Sequence, residues 1–134
     1  MRALRVMTIA ALMFAFWLAD ASAQTEVIHI TMIGNEFKPS PVEAPVGKVV
    51  QFDHQDGVEL HTVTSDDPAL AAIFESSPSC ARGSPAEKCM TGGDSYRTVF
   101  LQAGIYGYHC RIHGAAPSDV SPEGSGMRGT IVVQ

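Results

Sequence analysis

Between Tyr106 and Val133 the chain reads YGYHCRIHGAAPSDVSPEGSGMRGTIVV. An aromatic, β-rich run delivers Cys110, a short loop returns His113, and a longer loop ends on Met127 before the closing β-rich run GTIVV. Side chains alternate across a strand, so Tyr106, Tyr108 and Cys110 share one face while Ile105, Gly107 and His109 share the other. A cysteine turned inward with the tyrosines leaves His109 turned away, as a surface histidine.

The remaining segments are of the same short β type. Val27 to Ile33 carries Ile28, Ile30 and Met32 on one face, and Gly34-Asn35 breaks it. The prolines of FKPSP suit an edge rather than a central strand. Val42–Val46 and Val49–Phe52 flank a turn at Pro45 to Gly47, and His61–Ser65 follows a turn at Gln55-Asp56-Gly57. Asp66 or Asp67 is placed to N-cap a short helix through Ala69 to Phe74. Ser76 to Gly93 is Ser/Pro/Gly-rich loop without periodicity. Strands resume at Tyr96–Leu101 and, after Ala103-Gly104, from Ile105 into Cys110. Many short strands with Gly/Pro punctuation, and no internal repeat, predict one all-β sandwich with a short helical segment and long loops.

The first residues have a different grammar. Arg2 and Arg5 precede an apolar run from Val6 to Leu18, and Ala21-Ser22-Ala23 forms an A-x-A cleavage site. Residues 1–23 are expected to be a signal peptide, with a mature domain over 24–134. An uncleaved anchor would need about 20 apolar residues to span a bilayer, and this run is shorter. Export to a bacterial periplasm, with no membrane span after processing, is the expectation. Loss of Arg2, Arg5 and Asp20 takes the formal charge of −5 to −6 for the mature chain. That acidity argues against nucleic acid and favours a basic protein partner through steering.

Context separates the three cysteines. Cys80 and Cys89 lie in the polar loop of an exported chain, where disulfides persist, and are read as bonded to each other. A ring this short would contribute about 2.5–3 kcal/mol by the chain-entropy model. The alternative, a second metal site on CARGSPAEKC, has no nearby histidine. Cys110 is then the odd thiol, a liability in an oxidising compartment unless a metal holds it.

Cys110, His113 and Met127 supply a thiolate, an imidazole and a thioether, and His61, opening the run HTVTS, supplies a second imidazole. This is the His₂Cys set with a weak axial Met of blue copper electron-transfer sites. Structural zinc sites favour closed tetrahedral sets, commonly with paired cysteines, and only one thiolate is free here.

The pieces FKPSPVEAPVGKVVQFDHQD, LHTVTSDD, YRTVFLQAGIYGYHCRIHG and GMRGTIVV occur in this order over nearly all of the mature chain. They carry an F-x-P opening, G-x-x-V-x-F, H-[NTS]-V, G-x-Y-x-Y-x-C-x-x-H and M-x-G. In these motifs the chain resembles the small cupredoxins of the plastocyanin/pseudoazurin kind. The resemblance implies a Greek-key β-sandwich and one copper ion cycling between Cu(I) and Cu(II), with His61, Cys110, His113 and Met127 as ligands. It implies electron exit through the exposed edge of His113, here near Ala115, Ala116 and Pro117. Thr62 stands where the family often has an Asn hydrogen-bonded to the Cys loop, a task a hydroxyl can share. His54 stands where the family often has Asn and is read as a loop histidine near the metal but not on it; His29 is read as a partly exposed sheet residue.

One departure concerns Met127. GAAPSDVSPEGSG separates it from His113, an insertion of roughly eight residues relative to the family, which is tolerable because closure costs grow slowly with loop length. The other reading makes Met127 only a core residue of the last strand. The insertion is expected to select the redox partner.

The leading expectation is therefore a periplasmic one-electron carrier, monomeric by default, passing electrons between a protein donor and acceptor and catalysing no reaction of its own. The alternative is a periplasmic copper-binding or delivery protein on the same fold, although exposed Met- or His-rich tracts are missing from the mature sequence. A copper oxidase or nitrite reductase domain would need H-x-H pairs and a cysteine flanked by histidines; here Arg111 follows Cys110 and no H-x-H occurs.

Overall fold

The computed structural model describes residues 26–134, so the signal-peptide assignment lies outside the described residues. Eight strands form two four-stranded sheets. β1 (Val27–Ile33), β2 (Glu36–Lys38), β4 (Val49–His54) and β6 (Ser95–Val99) make one sheet in the order β2-β1-β4-β6. β3 (Val42–Ala44), β5 (Thr64–Ser65), β7 (Gly104–Ala115) and β8 (Ser125–Val133) make the other in the order β3-β8-β7-β5. Each sheet contains one parallel pair, β1 with β4 and β3 with β8, and the other pairings are antiparallel. Every connection from β2–β3 to β6–β7 crosses between sheets, so the core is closed by residues far apart in sequence. Among the described residues no helix is long and apolar enough to cross a membrane.

Alternation builds the core. Ile30 and Met32 of β1, Val50 and Phe52 of β4, Tyr108 and Cys110 of β7, and Met127, Ile131 and Val133 of β8 are all buried. Phe52 meets Tyr108 edge-on at 5.2 Å between ring centroids, a favoured aromatic geometry. The inward face of β7 carries Tyr108 and Cys110, as the alternation requires.

Three local expectations are revised. The helix after Asp67 is a single 3₁₀ turn, Pro68–Leu70, capped by the Asp67 side chain, which accepts from the Ala69 N–H at 2.9 Å. It stops early because Phe74 must enter the core and Glu75 must pair with Thr64. The strand expected from His61 shrinks to Thr64–Ser65 because its first residues spend their backbone groups elsewhere. His61 pairs with Met90, Thr62 N–H points at the Cys110 sulfur, and Val63 N–H goes to Ser76 Oγ. The residues between Gly114 and Gly126 are not a free loop. They continue the β7–β8 ribbon at Gly114↔Gly126 and Ala115↔Ser125, and a further bridge joins Ser118 and Ser121.

Candidate metal centre

The donor cluster sits where β7 stops pairing regularly with β8. His109 is opposite Arg128 and Gly114 is opposite Gly126, so Cys110 to His113 bulge out facing Met127 alone. A bulge re-aims side chains at the cost of ladder bonds. Here it turns Cys110 and His113 toward one point. His61 reaches the same point from the turn before β5, held by its two backbone hydrogen bonds to Met90, at 3.1 and 3.0 Å.

The three donor atoms form a compact triangle. Cys110 Sγ is 3.7 Å from His61 Nδ1 and 3.6 Å from His113 Nδ1, and the two Nδ1 atoms are 3.2 Å apart. A point equidistant from all three lies about 2.0 Å from each, close to a metal–imidazole bond length. Among the described residues His61, Cys110 and His113 are the group able to hold a metal ion. One soft thiolate and two imidazoles fit copper by donor type. Met127 is buried on the inward face of β8, directly opposite the bulge.

Supporting contacts orient each donor. His61 Nε2 is 2.7 Å from Asp56 Oδ2; an ionised carboxylate only accepts, so the ring donates there and offers its Nδ1 lone pair to the cluster. Asp56 is itself held by the Gly34 N–H at 2.9 Å, which keeps its carboxyl below the ordinary value of 3.8. Burial pushes the pKa of His61 below 6.5, so the ring is neutral at neutral pH. Thr62 does what its position suggested: its Oγ1 accepts from the Arg111 N–H at 2.8 Å. Its own N–H approaches the Cys110 sulfur at 3.4 Å. The His113 side chain is 21% exposed, with Nε2 turned out to within 3.6 Å of Glu59 Oε2. Beside it, Ala115 and Pro117 are exposed and Ala116 is half-buried.

The other histidines lie outside the donor cluster. His29 is exposed and bonded to Asp53 at 2.7 Å. His54 is not a loop residue: it ends β4, is buried, and packs its ring 4.7 Å from that of His61. Its ring nitrogens have no hydrogen-bond partner among the described residues. His109 faces away from the cluster but is not at the surface. Asp66 covers it, 2.7 Å from its Nδ1, and the same carboxylate meets Arg128. Sequence reading places Asp56 and Asp66 only in turns and Arg111 only after Cys110, and assigns none of these three or Glu59 a contact with the histidines or the Cys110 loop. The clue available for Asp56 was a carboxylate in the turn shortly before His61.

Comparison with known proteins points the same way. Residues 6–120 match the family model of the cupredoxin-like domain. The chain is 32% identical to plastocyanin of Scenedesmus fuscus over 101 residues, 73% of this chain and 86% of that protein. Among solved structures it resembles a reduced amicyanin variant, with a TM-score of 0.55 at 21% identity over 87% of this chain and 88% of the other. It also resembles a purple cupredoxin from Nitrosopumilus maritimus, with a TM-score of 0.51 at 22% identity over 80% and 99%. The family match, the homologous plastocyanin and a two-sheet fold gathering a His-Cys-His cluster agree: this chain belongs to the cupredoxin family.

Proposed function

We propose that this chain is an exported, periplasmic carrier of single electrons that holds one copper ion through His61, Cys110, His113 and Met127 and catalyses no reaction of its own. Residues 1–23 act as its signal peptide and residues 24–134 as the working domain. The observation that carries the reading is the triangle of Nδ1, Nδ1 and Sγ atoms, 3.2 to 3.7 Å on a side, set in a rigid sandwich. Bound copper supplies a Cu(I)/Cu(II) couple. The protein's part is to keep its ligands still while the charge changes. Asp56 orients His61, Thr62 ties its own segment to the Cys110–His113 loop, and the sandwich excludes water from Cys110, which is fully buried. His113 is the ligand nearest solvent, so its outer edge, with Ala115 and Pro117, is the place where a donor or acceptor protein docks. The mature chain's acidity favours a basic partner, and a monomer suits a carrier. The ribbon extension beyond Gly114 lies next to that edge in sequence and selects the partner. Deleting Ser118 to Ser125 from copper-loaded protein should change the transfer rate to the natural partner; an unchanged rate removes that role.

The deciding experiment is the visible and EPR spectrum of the chain from Gln24 to Gln134 after addition of Cu(II). An intense thiolate-to-copper band that bleaches with a mild reductant is expected. A colourless protein with a weak, tetragonal copper signal would remove Cys110 as a ligand and leave copper binding and delivery as the better reading.

A further inference from the structure

We infer that Arg111 is a positioning residue, through which the disulfide-closed segment Glu75–Met90 holds the Cys110–His113 loop in register with His61. Arg111 lies between two of the proposed ligands, yet its side chain leaves them and enters that segment. Its Nη1 donates to the carbonyls of Pro78 and Cys80, each at 3.1 Å, and approaches that of Ser77 at 3.4 Å. Its Nη2 meets the Glu75 carboxylate, whose side chain is only 9% exposed. A planar fork with five fixed donors holds several carbonyls and a carboxylate in one set geometry, whereas a lysine offers three donors on a flexible stem.

The grip is reciprocal. Arg82, inside the same segment, donates from Nη2 to the carbonyl of Ile112 at 2.8 Å. The Cys110–His113 loop therefore reaches into the segment through Arg111 and is held from it through Arg82. At its far end the segment reaches the remaining histidine, since Met90 makes both backbone hydrogen bonds with His61. The disulfide joins Cys80, whose carbonyl Arg111 uses, to Cys89, the neighbour of Met90. A short covalent link thus connects the grip on Cys110 and His113 to the residue that pairs with His61. Bulged backbone has few ladder bonds of its own, so the register of this loop depends on such outside contacts.

The test pairs a copper-free readout with a copper-loaded one. The copper-loaded part rests on the electron-carrier reading above, whereas the copper-free part does not. Removing Arg111 alone would strand the Glu75 carboxylate, so the variant is E75Q/R111Q, with R82Q as an independent change that strands no charge. In copper-free protein, amide exchange at Arg111 to Gly114 should quicken about 10-fold in the double variant, with exchange in the β1–β4 pairing unchanged. In copper-loaded protein, Cu(II) affinity against a chelator should fall about 10-fold, the low end of the loss seen when support outside the ligands is removed, and the EPR hyperfine splitting should change. Unchanged exchange in a folded double variant overturns the inference whatever the copper chemistry. If the double variant does not fold, R82Q decides: faster exchange at Ile112 and His113 supports the grip, and wild-type exchange rejects it. A wild-type protein without the thiolate band would count against the electron-carrier reading and leave the exchange result standing.

Discussion

Asp56 accepts a hydrogen bond from Nε2 of His61 at 2.7 Å, and this contact settles which ring nitrogen faces the cysteine. With Nε2 occupied, Nδ1 is the nitrogen left to point at Cys110 and His113. Outer carboxylates of this kind fix tautomer and ring orientation, and losing one usually costs 10–100-fold in metal affinity. Asp56→Ala is therefore expected to lower copper affinity by about 10-fold or more in competition with a chelator. Wild-type affinity in this variant would show that His61 is oriented by its packing against His54 and its pairing with Met90 alone.

Met127→Leu separates ligand from core residue. The side chain is buried and the swap roughly conserves volume, so the expected loss of stability is below about 1.5 kcal/mol in denaturant unfolding. With the thioether gone, the thiolate band should persist while the reduction potential rises, because the weak axial donor favours Cu(II). An unchanged potential would make Met127 a residue of the β8 core and nothing more.

Gly114→Ala probes how closely β8 approaches the loop that carries Cys110 and His113. A Cβ at this position would lie 2.5 Å from the carbonyl oxygen of Met127 and 2.9 Å from its nitrogen. Both are backbone atoms of a paired strand and cannot retreat without moving Met127. Overpacking of this kind costs about 1–3 kcal/mol, which should appear as a lower thermal midpoint in copper-free protein. An unaltered midpoint would mean that β7 and β8 are not in close contact at Gly114.

Acid should destabilise the copper-free protein in two stages. Burial draws the pKa of His61 below 6.5, so between those values the unfolded chain binds a proton that the folded chain refuses. Stability therefore starts to fall as the pH drops below 6.5. Asp56, held by the Gly34 N–H, and Asp94, held by the N–H and hydroxyl of Thr91, both titrate below 3.8 in the folded chain. Their contribution is complete above 3.8 and is lost as the pH falls through the lower folded values. Denaturant unfolding across this range should show both stages, and Asp94→Asn should blunt only the lower one. A stability profile level from pH 7 to 3 would refute this assignment.

The all-β class and the gathering of His61, Cys110 and His113 were legible in the residues themselves. Alternation along Tyr106–Tyr108–Cys110 states which side chains turn inward, and β7 obeys it. Cys110 and His113 are close in sequence, so the bulge that joins them is a local matter. The odd cysteine, left over once Cys80 and Cys89 pair, narrows the metal to one that a single thiolate suits. Thr62 was readable too, because its neighbour His61 marked its place.

What the tertiary structure decided is everything that depends on contacts between distant segments. Thr62 and Arg111 are 49 residues apart, Asp66 and Arg128 are 62 apart, and no periodicity relates them. His109 looked exposed because strand alternation describes only its own sheet, whereas the carboxylate that covers it comes from the turn after β5. His54 looked like a loop residue because FDHQD is polar, yet pairing of β4 with β1 runs to its last residue and carries the ring into the interior. Local sequence determines which face a side chain takes; only the closing of two sheets on each other determines what stands opposite that face.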